Sequence, residues 1–165
     1  MTIFFAQPYD ISATGFYFET IEQYRSRSAV AKNDYGDPVE EFEIQFIDGE
    51  AIDCELSKAI GVNQANLGRL VALIDDWDDD QKTRFIIAVG ECGYSEDSDP
   101  DNLDIEIYEL GSLKELAEQF VDEGLFGDIP ERIANYLDYD LIARDLSADY
   151  SETDVAGTNY VYRCG

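Results

Sequence analysis

The stretch Leu103-Asp104-Ile105-Glu106-Ile107-Tyr108-Glu109-Leu110-Gly111-Ser112-Leu113-Lys114-Glu115-Leu116-Ala117-Glu118-Gln119-Phe120-Val121-Asp122 changes its hydrophobic period halfway along. Up to Tyr108 the apolar residues Leu103, Ile105 and Ile107 alternate with Asp104 and Glu106, the period of two of a half-buried strand. From Ser112 the apolar residues are Leu113, Leu116, Phe120 and Val121, spaced for one face of a helix. Ser112 followed three residues later by Glu115 is the capping-box signature of a helix start. A strand running through a short turn into a helix, with no second alternation of the two, points to an α+β arrangement and away from a parallel α/β sheet.

The same reading extends toward the N-terminus. Thr2 to Ala6 and Gly15 to Phe18 are expected as strands, and a helix is expected near Thr20 to Lys32. The breaker Asn33-Asp34-Tyr35-Gly36-Asp37-Pro38 follows, and then Phe42, Ile44 and Phe46 alternate with Glu41, Glu43 and Gln45 up to an Asp48-Gly49 turn. Leu67, Leu70, Val71 and Ile74 place a helix over residues 63–74, and Phe85, Ile86 and Val89 place another over 79–89. The polar, Pro-interrupted run from Gly93 to Asn102 reads as a linker. The expected organisation is an elongated chain of small subdomains. Residues 1–54 form a small antiparallel sheet plus helix, 55–101 a helical middle, and 102–165 a C-terminal α+β unit.

Charge narrows the function. The chain of 165 residues carries 37 Asp and Glu against 11 Lys and Arg, has no His, and stands at a formal -26. Up to Asn33 three acids are balanced by three bases, so the imbalance lies entirely in the remainder. Self-repulsion of this size opposes compaction, and it disfavours binding to nucleic acid. The 45% hydrophobic and 13% aromatic content excludes a disordered polyanion. No run approaches the ~18 apolar residues of a membrane span, and a soluble cytoplasmic protein is expected. Cys54, Cys92 and Cys164 are odd in number and widely spaced, which argues against a disulfide framework and leaves reduced thiols as the expectation.

Catalysis is narrowed by elimination. Without His there is no ordinary Ser-His-Asp or Cys-His site and no His ligand for zinc. No phosphate-binding Gly-rich motif is present. Neither enzymatic activity nor a cofactor is expected. Asp97, Asp99 and Asp101 open like a calcium loop, but position four is Pro100, position six is Asn102 rather than Gly, and position twelve is Tyr108 rather than Glu.

The candidate partner-binding residues are therefore surface acids. They are Asp75, Asp76, Asp78, Asp79 and Asp80 in the inter-helix link, and Glu96, Asp97, Asp99 and Asp101 in the linker. Asp104, Glu106 and Glu109 on the strand and Glu115, Glu118 and Asp122 on the helix complete the set. A helical i to i+4 step rises about 6 Å, close to two phosphate steps of about 3.4 Å.

The segment Gly127-Asp128-Ile129-Pro130-Glu131-Arg132-Ile133-Ala134-Asn135-Tyr136-Leu137-Asp138-Tyr139-Asp140-Leu141-Ile142-Ala143-Arg144-Asp145-Leu146 resembles the signature of the ArdA antirestriction proteins. The resemblance extends over Leu103 to Glu123, a last strand at 159–163, and the overall length and acidity. It implies a DNA mimic, associated with mobile genetic elements, in which three small subdomains per chain assemble as an elongated homodimer. It also implies that the protein occupies the DNA-binding groove of type I restriction-modification enzymes, at their methyltransferase core, and inhibits restriction. Read from its residues, the segment has Asp128 as N-cap of a short helix with Pro130 in its first turn, and Asp138 as N-cap of a second helix. In that second helix Leu141, Ile142 and Leu146 face inward, and Arg144 sits among Asp138, Asp140 and Asp145. Tyr136, Leu137, Tyr139, Leu141, Tyr160 and Tyr162 exceed what a small core needs, so some are expected at a dimer contact. The alternatives are an acidic module that sequesters another basic or DNA-binding protein, and a calcium-associating or salt-adapted protein.

Overall fold

A computed structural model describes every residue from Met1 to Gly165. The fold is α+β, with seven α-helices and two separate three-stranded antiparallel sheets. The first sheet has β1 (Ile3–Pro8) between β2 (Phe16–Phe18) and β3 (Phe42–Asp48). Alternation decides its inner face: Phe4, Ala6, Phe18, Phe42 and Ile44 are buried. The ring of Phe4 stacks on Phe18 at 5.4 Å, and Phe18 meets Tyr24 at 5.1 Å. Tyr24 comes from α1 (Ile21–Ser28), whose N-cap Thr20 accepts a hydrogen bond from the Gln23 amide. This helix ends four residues earlier than its sequence suggested.

Three helices follow: α2 (Ala51–Ile60), α3 (Leu67–Asp76) and α4 (Asp79–Glu91). Leu56, Ile60, Leu67, Leu70, Phe85 and Ile87 are fully buried between them. This part of the chain has one helix more than the apolar spacing revealed. In α2 the spacing Ile52, Leu56 and Ile60 is interrupted by Asp53 and Ser57, two polar residues that are themselves buried. Residue 54, the expected end of the first unit, lies within α2. Gly61 ends the helix at φ 64°, a left-handed position suited to glycine.

The segment after α4 is no free linker. It contains a 3-10 turn at Pro100–Asn102, and Arg84 of α4 donates to the carbonyls of Pro100 and Leu103. The second sheet has β6 (Thr158–Cys164) between β4 (Ile105–Tyr108) and β5 (Ser151–Val155). β5 reads Ser-Glu-Thr-Asp-Val and lacks apolar alternation, which hid it; pairing with β6 through the Ala156-Gly157 turn makes it a strand. Against this sheet pack α5 (Leu113–Asp122) and the end of α7 (Tyr139–Leu146), with the single-turn α6 (Glu131–Ala134) between them in sequence. Leu116, Phe120, Tyr150 and Val161 form a small separate core there. Val155 and Tyr162, on the sheet's other side, join the main core.

Cys92, at the end of α4, and Cys164, at the end of β6, form a disulfide with Cα atoms 5.5 Å apart. The expectation of three reduced thiols is corrected: only Cys54 is free. A separation of 72 residues carries no spacing signal, and the pair meets only because β6 runs back to the end of α4.

The accessible surface is 9903 Å². A compact monomer of 18.6 kDa would expose about 8200 Å² by the usual mass scaling. Only 29 of the 165 residues are buried. Such an excess of surface belongs to a chain whose second sheet packs one face on the main core and the other on a small separate cluster.

Candidate functional site

All fifteen acids singled out in the sequence are exposed. Their local roles differ. Asp78 caps α4: its carboxylate accepts the Gln81 amide at 2.8 Å, while the Gln81 side chain accepts the Asp78 amide at 3.2 Å. Asp79 and Asp80 occupy the first turn of α4, where the helix dipole favours negative charge. Asp75 and Asp76 end α3, where the dipole disfavours it. Trp77 pins this link by packing its ring 5.1 Å from Phe85.

Tertiary contacts bring the second acidic run onto the first. Arg69 of α3 reaches Asp97 at 3.4 Å and donates to the Glu96 carbonyl. Asp99 accepts the Asp101 amide and the Asn102 side chain, shaping the 3-10 turn. The same Gln81 that completes the cap of α4 donates to Asp101 at 3.2 Å. Arg69 and Gln81 therefore tie the acidic segment 96–101 to α3 and to the start of α4, beside residues 75–80. Glu109, just after β4, lies nearby: with Glu50, Asp79 and Asp80 it lines a cleft of about 620 Å³, beside Arg84 and the Val155–Thr158 turn.

Glu106 faces another way. It accepts from the Tyr150 hydroxyl at 2.9 Å and from Tyr108 at 3.3 Å, with Arg163 at 3.8 Å. Burial, then the Glu106 charge, pushes the Tyr108 hydroxyl up to about 12. Glu115 accepts the Gly111 amide at 2.7 Å while its own amide binds Ser112 Oγ, so the helix start is capped one residue earlier than a strict capping box. Glu118 and Asp122 stand free on the outer face of α5. Asp104, also exposed, accepts the Gly165 amide through its carbonyl.

Five ion pairs serve the whole chain, and one of them is buried. Among the fifteen acids only Asp97 and Glu106 belong to one. No group of three or more carboxylate, Cys or His side chains converges closely enough to hold a metal ion.

The segment 127–146 departs from its reading at three points. Asp128 caps nothing: α6 starts only at Glu131, so Pro130 takes its N-cap position, and the proline ring has no acceptor to offer. Leu141 faces outward, 49% exposed, since α7 turns Leu146 toward α5 instead and leaves Ile142 half-buried. Arg144 is exposed and forms no ion pair with Asp138, Asp140 or Asp145; Asp140 pairs with Lys114 of α5 at 3.4 Å. Asp138 does cap α7, accepting the Leu141 amide at 3.1 Å. Leu137 and Tyr139 are half-buried, whereas Tyr136 is 86% exposed. With Leu125, Phe126, Ile133 and Leu141, Tyr136 makes residues 125–141 the stretch of this unit richest in exposed apolar side chains. Glu50, Glu91, Arg69 and Arg84, which complete or brace these surfaces, escaped the sequence reading because a lone charged residue has no periodicity to betray it.

The arrangement is that of an acidic α+β protein with most of its carboxylates displayed on the surface. A family model described as antirestriction protein (ArdA) matches residues 9–161, nearly the whole chain, and the chain belongs to that family. Among curated proteins none matches it.

Proposed function

We propose that this antirestriction protein is a DNA mimic that occupies the DNA-binding groove of a type I restriction-modification enzyme, blocking restriction and modification in the cytoplasm where that enzyme works. The observation that carries the proposal is the set of exposed carboxylates that residues 75–80, 97–101 and 109 present around the start of α4, of which only Asp97 is ion-paired. Lys and Arg side chains that receive phosphates would receive these carboxylates in the same way. Duplex DNA carries about one charge per 1.7 Å, so a charge of -26 corresponds to about 44 Å of duplex. The large accessible surface agrees with an extended body.

The functional unit in this proposal is a homodimer joined through the C-terminal unit, with Leu125, Phe126, Ile133, Tyr136 and Leu141 at the contact. Two bodies this acidic repel, so the contact must be apolar, and a two-fold axis would join two acidic surfaces into one. The remaining motif residues, Asp128, Pro130, Leu137, Asp138, Tyr139, Arg144 and Asp145, would set the shape of that contact.

The test is competition for a labelled duplex bound to a type I methyltransferase core. The protein in modest excess should displace the duplex without altering either macromolecule, and its own binding should weaken as salt rises. A duplex that stays bound at equimolar or greater protein in physiological salt refutes the proposal.

A further inference from the structure

The Cys92–Cys164 bond joins two parts of the chain that otherwise meet through a few specific contacts. Cys92 follows the last residue of α4, and Cys164 ends the central strand of the second sheet. Around the bond, Glu91 accepts from Thr153 of β5 at 3.2 Å and from Tyr162 of β6 at 3.3 Å. Tyr94 donates from its hydroxyl to the Asp104 carbonyl at 3.4 Å. Arg84 holds the carbonyls of Pro100 and Leu103. Every one of these polar contacts crosses from α4 or the segment just after it to the second sheet or the turn leading into it. The covalent bond closes the same joint at its far end.

The joint matters because it sets the register between two acidic sets. Asp78, Asp79 and Asp80 sit at the start of α4, whereas Asp104 and Glu109 flank β4, the strand paired with β6. A tilt of the sheet on α4 changes their spacing, and with it the match to a fixed array of cations. Cys164 is exposed and Cys92 half-buried, so small thiols and disulfides reach the bond. Accessible disulfides are the ones that exchange with their surroundings.

We infer that Cys92 and Cys164 form a redox-sensitive latch that sets the inhibitory strength of the acidic surface, strong when the bond is closed and weaker when it is open. Closing requires a low-molecular-weight disulfide such as oxidised glutathione. The Cys164 thiolate attacks one sulfur of the oxidant, forming a mixed disulfide and expelling one thiolate. The Cys92 thiolate then attacks the Cys164 sulfur and expels the second. Two electrons pass to the oxidant, and the two protons lost by the cysteines end on its two thiols. The fold outlasts opening because the apolar packing of Val155 and Tyr162 in the main core does not depend on the bond, whereas the polar contacts across the joint loosen and let the sheet tilt.

The effect on inhibition rests on the DNA-competition proposal, so the experiment carries a second readout that does not. The full chain is equilibrated in buffers spanning reduced to oxidised glutathione, and inhibition of duplex binding is measured beside amide hydrogen exchange. The closed wild type should inhibit at a concentration at least about fivefold lower than the reduced form. Its Tm should be higher by at least about 5 °C, as for a cross-link closing a long loop. The double variant Cys92→Ser/Cys164→Ser should match the reduced wild type in every buffer, and Cys54→Ser should behave as wild type. Exchange should quicken on reduction in residues 105–108 and 161–164. Redox-independent exchange and Tm overturn the latch, as does a double variant that still responds. Equal displacement of the duplex by both redox states also overturns the latch; if neither state displaces it, the DNA-competition proposal fails and the latch on inhibition fails with it, while exchange and Tm still report whether the bond governs the joint.

Discussion

Lys82 of α4 and Asp53 of α2 form the one buried ion pair, 2.7 Å apart with each side chain 6% exposed. At that distance and an effective dielectric of about 20, their attraction is about 6 kcal/mol. Desolvating the two ions costs several kcal/mol each, so the net worth of the pair is near zero. Removing one partner is another matter, because the attraction goes and the other ion stays buried. Lys82→Met should therefore destabilise by about 3–5 kcal/mol. Asp53→Leu should cost less, about 1–3 kcal/mol, because Glu19, Glu22, Glu50 and Asp75 line the same cleft and remain to balance Lys82. The variant carrying both changes should return to within about 1 kcal/mol of wild type, since a well-packed apolar pair replaces the ions. Urea unfolding of the four proteins, with the disulfide kept closed, measures the cycle. A cost below about 1 kcal/mol for Lys82→Met, additive single effects, or a larger cost for Asp53→Leu would refute this account of the α2–α4 contact.

Single acid-to-amide changes on the proposed surface should each alter inhibition by little, since an exposed pair contributes about 0–1 kcal/mol. Joint neutralisation of Asp75, Asp76, Asp78, Asp79 and Asp80, or of Asp97, Asp99, Asp101 and Asp104, should weaken it stepwise in a duplex-competition titration; full loss from one amide change with the fold intact would contradict a distributed surface. Tyr108 is held protonated in the fold, so its contribution to stability is complete below pH 10 and is lost as pH climbs toward about 12. Tyr108→Phe should flatten that alkaline decline in thermal melts, and an unchanged decline would show that Tyr108 is not its source. Tyr136→Asp with Leu141→Asp should turn the proposed dimer into a monomer, and the wild-type dimer should tighten with salt as the -26 charges are screened. Sedimentation across a salt series checks both, and a monomer at every salt and concentration would remove the dimer.

Local order was legible in the chain. The helix at 113–122 follows from its own spacing and from Ser112, and the alternation over 103–107 required a strand whatever surrounded it. Asp138 declared α7 in the same way. The exposure of the fifteen acids also followed directly, because an unpaired carboxylate is too costly to bury. The ArdA resemblance rested on a contiguous string, and string matches need no knowledge of contacts.

What only the tertiary structure decided are the contacts between residues far apart in the chain. Gln81 joins the acidic run of residues 75–80 to that of 97–101, and no local pattern relates the two. Asp53 in the middle of α2 looked like a solvated acid, and it is buried because Lys82 waits 29 residues away. β5 is polar throughout most of its length and becomes a strand by pairing, not by preference. Leu141 fits an inward stripe on a helix wheel, yet which side of α7 is inward depends on where α5 lies. Cys92 and Cys164 pair because the last strand returns to the end of α4. Periodicity records how a residue relates to its near neighbours. The charge pairing, the buried polar groups and the joint between the two sheets depend instead on which distant surface the folded chain brings against each of them.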